Sequence, residues 1–155
     1  MSHGGLPTTA WMGLYAGLAG ALGGLLLAVL WTPLLISSRV RSLFEVGPTR
    51  WLPVNYTLGF VIMSGIHAGM LGAWIESGSG AGPNGALNAV ITLGVIVPVL
   101  GWVGALWGLP EFGYDWDTNG YDLRTKAVLG LGVLWYAVMT IVPGFVASLI
   151  AAFPA

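Results

Sequence analysis

A single histidine, His67, lies within a long apolar stretch of the chain. An ionisable side chain at membrane depth is costly to place, so such a residue is a functional candidate from the outset. An imidazole there can tie helices together, relay a proton, touch a quinone or lipid, or ligate haem iron. Haem needs an axial partner, and the only other histidine is His3, near the start of the sequence. A bis-histidine haem within one chain is therefore not expected, and the sequence requires no cofactor. On a helix, Met63 and Ser64 precede His67 by one turn, and Met70 and Leu71 follow it. Asn88 and Thr92 stand one turn apart on a later apolar stretch, and Thr140 and Ser148 lie on the last one. With His67 and Ser64 these residues are expected to form a polar interior. The simplest role for His67 is a hydrogen bond across helices. Asn55, Tyr56 and Thr57 form a further polar group, read as interfacial, with Tyr136 reaching their level.

The second pattern is Asp115-Trp116-Asp117-Thr118-Asn119-Gly120-Tyr121. Carboxylate and amide oxygens at alternating positions can turn to one centre, and a glycine next permits a sharp bend. The spacing resembles the opening half of an EF-hand calcium loop. That resemblance implies a cation held by Asp115, Asp117, Asn119 and the Tyr121 carbonyl. It stops there: the position that should carry a bidentate Glu is Lys126. The competing reading is a turn at Asn119-Gly120 followed by Asp122 as the N-cap of a helix, with Arg124 and Lys126 at the lipid headgroups. The turn is the reading adopted, and on it Asp115 and Asp117 are dispensable.

The elements that must position these residues follow from composition. Of 155 residues, 7% are charged and 56% are hydrophobic, against roughly 25% charged in an average globular domain. Five basic and six acidic residues cannot cover a water-soluble surface of this size. A bilayer removes that need. The net charge of −1 offers no basic field for nucleic acid. Cysteine is absent, which excludes disulfides and thiolate sites.

Crossing the hydrocarbon takes about 20 apolar residues in a helix. Four stretches qualify, from about Trp11 to Ile36, Trp51 to Ile75, Ala86 to Leu109 and Thr125 to Phe153. They predict an all-α integral membrane protein, one transmembrane domain of four helices in a compact bundle. No Lys or Arg precedes the first apolar run, so it is read as a retained helix rather than a signal peptide. Trp11, Trp51, Trp74 and Trp107 fall near span ends, while Trp102 and Trp135 lie deeper and are expected between helices. Pro83-Asn84-Gly85 reads as a turn. Small residues supply close packing in lipid. Gly13, Gly17 and Ala21 form one row on the first helix, and Ala16, Gly20 and Gly24 a second. Gly65 with Gly69, Gly101 with Ala105 and Gly104 with Gly108 repeat the spacing. Both rows of the first helix can pack inside the bundle, or one can serve another subunit.

Three functions compete at this point. The leading one is an accessory or structural subunit of a larger membrane complex, with the lipid bilayer and other subunits or copies of itself as partners. A homo-oligomeric transporter or channel is the alternative, and a quinone-binding or electron-transfer subunit using His67 is the third. Orientation follows from the basic residues, all five of which fall in the first and third connections. The positive-inside rule makes that side cytoplasmic and places both termini outside. Reporter fusions after Ser42 and after Asn119 should read cytoplasmic, and one after Gly80 external; the opposite result at any of the three breaks the four-span arrangement.

Overall fold

The computed structural model describes residues 8–78, 82–118 and 120–152. The described residues are helical, in the order α1 (Thr8–Trp31), a 3₁₀ turn (Thr32–Ile36), α2 (Ser38–Glu45), α3 (Leu52–Glu76), α4 (Gly82–Val103), a π-helical turn (Gly104–Gly108), α5 (Leu109–Glu111) and α6 (Leu123–Ala152). Four stretches are long and apolar enough to cross a membrane: Ala10–Ile36, Leu52–Glu76, Asn84–Glu111 and Leu123–Val146. Their outward faces are largely apolar. Leu22 and Leu26 on α1, for example, are 71% and 70% exposed. A continuous apolar face of that kind is an aggregation liability in water and a natural surface in lipid.

Two local readings are corrected. The first connection is not a plain charged loop: residues Ser38–Glu45 form a short helix. Val40, Leu43 and Phe44 recur at helical spacing and turn one apolar face to the protein, leaving Arg41 and Glu45 exposed. Pro83-Asn84-Gly85 is not a turn but the first turn of α4. A proline there loses no hydrogen bond, because the first N–H groups of a helix have no intrahelical partner.

The helices are arranged as two tightly packed pairs, α1 with α3 and α4 with α6. In the first pair backbone meets backbone. A Cβ at Gly17 would stand 3.1 Å from the Gly65 carbonyl, and one at Gly13 would stand 3.2 Å from that of Gly69. Gly65 and Gly69 return the contact to the carbonyls of Gly17 and Gly13 at 3.2 and 3.1 Å. A Cβ at Gly24 would lie 2.7 Å from the Phe60 carbonyl, and one at Gly20 would lie 2.6 Å from that of Ser64. Both small-residue rows of α1 therefore face α3, and neither is left for another subunit. On α4 a Cβ at Gly94 would lie 2.5 Å from Ile141 of α6, but Gly101 and, just beyond α4, Gly104 behave differently. Gly101 only approaches the end of Met63, at 3.7 Å, and around Gly104 there is open space. Gly104 does not pack against a helix.

Ala28, Tyr56, Phe60 and Tyr136 form the buried core where the two pairs meet near the α2 end. The Tyr56 hydroxyl donates to the Ala28 carbonyl at 2.8 Å, and the Thr32 hydroxyl donates to the same oxygen at 3.1 Å. Tyr56 is thus a buried tie between α1 and α3 rather than an interfacial residue. Asn55 is also buried. It donates to the Phe44 and Thr49 carbonyls at 2.9 and 2.8 Å and accepts from the Thr49 backbone N–H at 3.0 Å. It folds the loop between α2 and α3 onto the start of α3.

Replacing Gly20 by Leu should destabilise the protein by about 1–3 kcal/mol or more, since the added atoms meet backbone that cannot yield. Gly23→Leu should be close to neutral, because a Cβ at Gly23 meets nothing within 4 Å. Thermal unfolding of both variants in detergent measures the difference; equal effects would remove the α1–α3 contact as the source of tight packing.

Candidate functional site

The buried polar residues lie between the two helix pairs. His67 on α3 and Tyr136 on α6 face each other, with His67 Nδ1 at 3.2 Å from the Tyr136 hydroxyl. They are 6% and 1% exposed, so their bond to each other is made away from solvent. A neutral imidazole with its proton on Nε2 accepts here from the phenol O–H. Ser64, one turn before His67, is buried on the same face of α3. The other members of the expected polar interior do not join them. The Thr140 hydroxyl donates back to its own helix, to the carbonyls of Tyr136 at 3.0 Å and Ala137 at 3.1 Å. Asn88 is exposed, and Thr92 is half-buried near it on α4. Ser148 (its side chain), Asn119 and His3 lie outside the described residues. Tyr136, expected at the level of Asn55, Tyr56 and Thr57, shares the buried core with Tyr56 and also reaches His67. Trp135 is 43% exposed and faces outward rather than packing between helices.

On the α2 side of the His67–Tyr136 layer the two pairs separate around a cavity of about 540 Å³. Its wall is almost wholly apolar and includes Trp31, Phe60, Met63, Leu129 and Val133. Gly101, Gly104 and Gly108 form the α4 wall and leave room that side chains would occupy. The π-helical turn widens α4 at this place, and its cause can be read from the residues. Leu109 N–H donates to the Gly104 carbonyl, five residues back, instead of to Ala105. Pro110 has no N–H to offer Ala105 in turn. The Trp116 indole N–H, from the loop beyond, donates to the Ala105 carbonyl at 2.6 Å. The loop thus closes the backbone bond that the π turn opens.

The acidic loop is organised around a cation that the chain supplies itself. The Arg39 guanidinium, from α2, is bonded to both carboxylate oxygens of Asp122, by Nη2 at 2.9 Å on one side and through Nη1 on the other. Nη1 also bonds the Thr125 hydroxyl and lies 3.6 Å from Asp117 Oδ2. The Thr125 hydroxyl in turn bonds Asp117, whose side chain is only 1% exposed. Asp122 accepts from the Thr125 backbone N–H at 2.9 Å, which is the geometry of an N-cap on α6. The bonded guanidinium holds the Asp122 carboxyl down at about 2, against an ordinary 3.8, and raises the Arg39 pKa in return.

Asp115 points elsewhere, accepting from the Tyr121 hydroxyl at 2.9 Å. Tyr121 uses its backbone N–H, not its carbonyl, toward Asp117, at 3.1 Å. It holds a positive φ of 57°, unusual for a side-chain-bearing residue, and these two bonds secure it. Among the described residues no group of three His, Asp or Glu side chains is arranged to hold a metal ion. Asp117, read as dispensable in the turn, is buried and bonded to the Thr125 hydroxyl and the Tyr121 backbone N–H. Arg39 was missed in the sequence as a partner because it stands 83 residues from Asp122. Arg124 and Lys126 are exposed beside it.

A family model described as "Domain of unknown function (DUF8162)" matches residues 9–155. The chain belongs to that family. The match takes in the four apolar helices, the cavity and the Arg39 network together. No curated protein and no solved structure matches the chain.

Two outcomes test the Arg39 network. Asp117→Ala should cost roughly 1–3 kcal/mol, because it strips a buried acceptor from Thr125 and Tyr121 and an opposite charge from Arg39. Asp115→Ala should cost about 1 kcal/mol or less, as one exposed bond is lost. The pH dependence has a definite sign. A carboxyl whose folded pKa is depressed contributes stability above its unfolded value, so the Asp122 contribution is present above pH about 4 and lost as pH falls through about 2. Thermal unfolding across that window should show the fall, and Asp122→Asn should flatten it.

Proposed function

We propose that this chain is a multi-pass protein of the cell membrane that serves as an accessory or structural subunit of a larger membrane complex. The first and third connections lie on the cytoplasmic face, and both termini lie outside. The orientation is supported by the placing of all five basic residues in those two connections. It is supported further by the bond between them, since Arg39 of one connection and Asp122 of the other meet at one end of the bundle.

The observation that carries the subunit role is how the polar side chains at depth are used. His67 and Tyr136 bond each other, Thr140 bonds its own helix, and Tyr56 bonds the backbone of α1. These groups tie helices together and line no aqueous route. A channel formed between copies would need them on an outward face, where, of His67, Ser64, Asn88, Thr92 and Thr140, Asn88 is the exposed one. The outward faces of α1 and α6 are instead apolar and fit lipid or other membrane helices.

Purification from native membranes in a mild detergent, followed by mass spectrometry, tests the subunit role. A stoichiometric membrane partner is expected. A monodisperse protein with no partner would sink it, and proton flux in liposomes that disappears in His67→Ala would replace it with the channel.

A further inference from the structure

Resting on the membrane location inferred above, we propose that the cavity between the two helix pairs is a binding site for one hydrocarbon chain of a membrane lipid. Its size, about 540 Å³, falls within the range of sites that enclose a small ligand. The residues beside its wall that face outward, Leu100, Val103, Leu131 and Leu134, are apolar and exposed. Whatever enters between the pairs at that level comes from the hydrocarbon of the bilayer. Left empty, an apolar space of this size would cost its lining the contacts that a chain supplies.

The polar groups of the wall separate a chain from a quinone ring. A quinone carries two carbonyl oxygens that need donors once buried. The Tyr136 hydroxyl is engaged with His67, and the Trp102 indole N–H is engaged with the Lys126 carbonyl at 3.4 Å. The Trp31 indole N–H has no partner among the described residues. One free donor leaves a quinone carbonyl unanswered, whereas a saturated chain needs none. Trp31 ends α1, and its ring lies over Gly132 at the end of the cavity toward α2. A lipid's linkage oxygen would lie at that end when its chain occupies the space. The apolar face of α2, with Val40, Leu43 and Phe44, forms the wall there, and exposed Arg41 stands next to it toward the headgroups.

The test uses the full chain in nanodiscs of phosphatidylglycerol carrying a photoactivatable diazirine in one acyl chain, with labelled residues mapped by mass spectrometry. Labels are expected on the outward face of α1, around Leu22 and Leu26, and also on the cavity walls, at residues 101–109 and 128–133. Gly104→Leu should abolish the cavity labels and leave those on α1, since a Cβ at Gly104 meets nothing within 4 Å and the longer side chain fills the cavity. Gly108→Leu, equally open, gives the same reading if the first variant does not assemble. Labels on α1 with none in the cavity overturn the chain site while leaving the membrane location standing. Cavity labels that persist in the glycine variants overturn it too, and so does a co-purifying quinone that excludes the probe from the cavity. Labels nowhere on the chain overturn the membrane location itself.

Discussion

The architecture depends on backbone contact between α1 and α3. In lipid no hydrophobic force draws two apolar helices together, so association rests on how closely they can approach. Gly13 and Gly17 meet Gly69 and Gly65 with nothing between the main chains, and Gly20 and Gly24 continue the contact toward the core. All four face one partner helix. The chain therefore builds one very close pair and leaves α4 and α6 to meet it through long side chains: Trp31 over Gly132, Met63 near Gly101, Tyr136 against His67. Side chains of that length hold the pairs apart, and the apolar cavity is the space they do not fill.

At two other places the structure answers a disturbed helix with a specific polar group. Pro110 leaves the Ala105 carbonyl without a backbone donor, and the Trp116 indole takes its place. The Ala28 carbonyl, where α1 gives way to the 3₁₀ turn, accepts two hydroxyl groups. These bonds also fasten the loop after α5 and the start of α3 to the bundle. The Arg39 network does the same for α2, coupling the short amphipathic helix to the start of α6. A guanidinium with two carboxylates and a hydroxyl around it fills the part that the acidic loop suggested for a bound cation. The difference is that this cation is covalently part of the chain.

These facts bear on function together. His67, Tyr136 and Thr140 are bonded within the chain, the outward faces are largely apolar, and the cavity between the helix pairs is apolar as well. Apolar outward faces of this kind suit contact with lipid or with other apolar helices.

Four helices long and apolar enough to cross a membrane were legible from composition alone. A run of about 20 apolar residues has few alternatives to a helix when its outward face meets lipid. The N-cap role of Asp122 was legible for a similar reason, since it depends on a bond within one turn. What only the tertiary structure decided depends on residues far apart in the chain. Helix periodicity placed Gly20 and Gly104 in equivalent-looking rows, yet one meets backbone and the other meets open space, because only the approach of a second helix distinguishes them. His67 was visible as a candidate, but its partner could not be read, since Tyr136 reaches it from another helix 69 residues away. Asp115 and Asp117 looked alike by spacing. The fold turned one to solvent and buried the other against Thr125, and Arg39, arriving from α2, made that burial electrostatically tolerable.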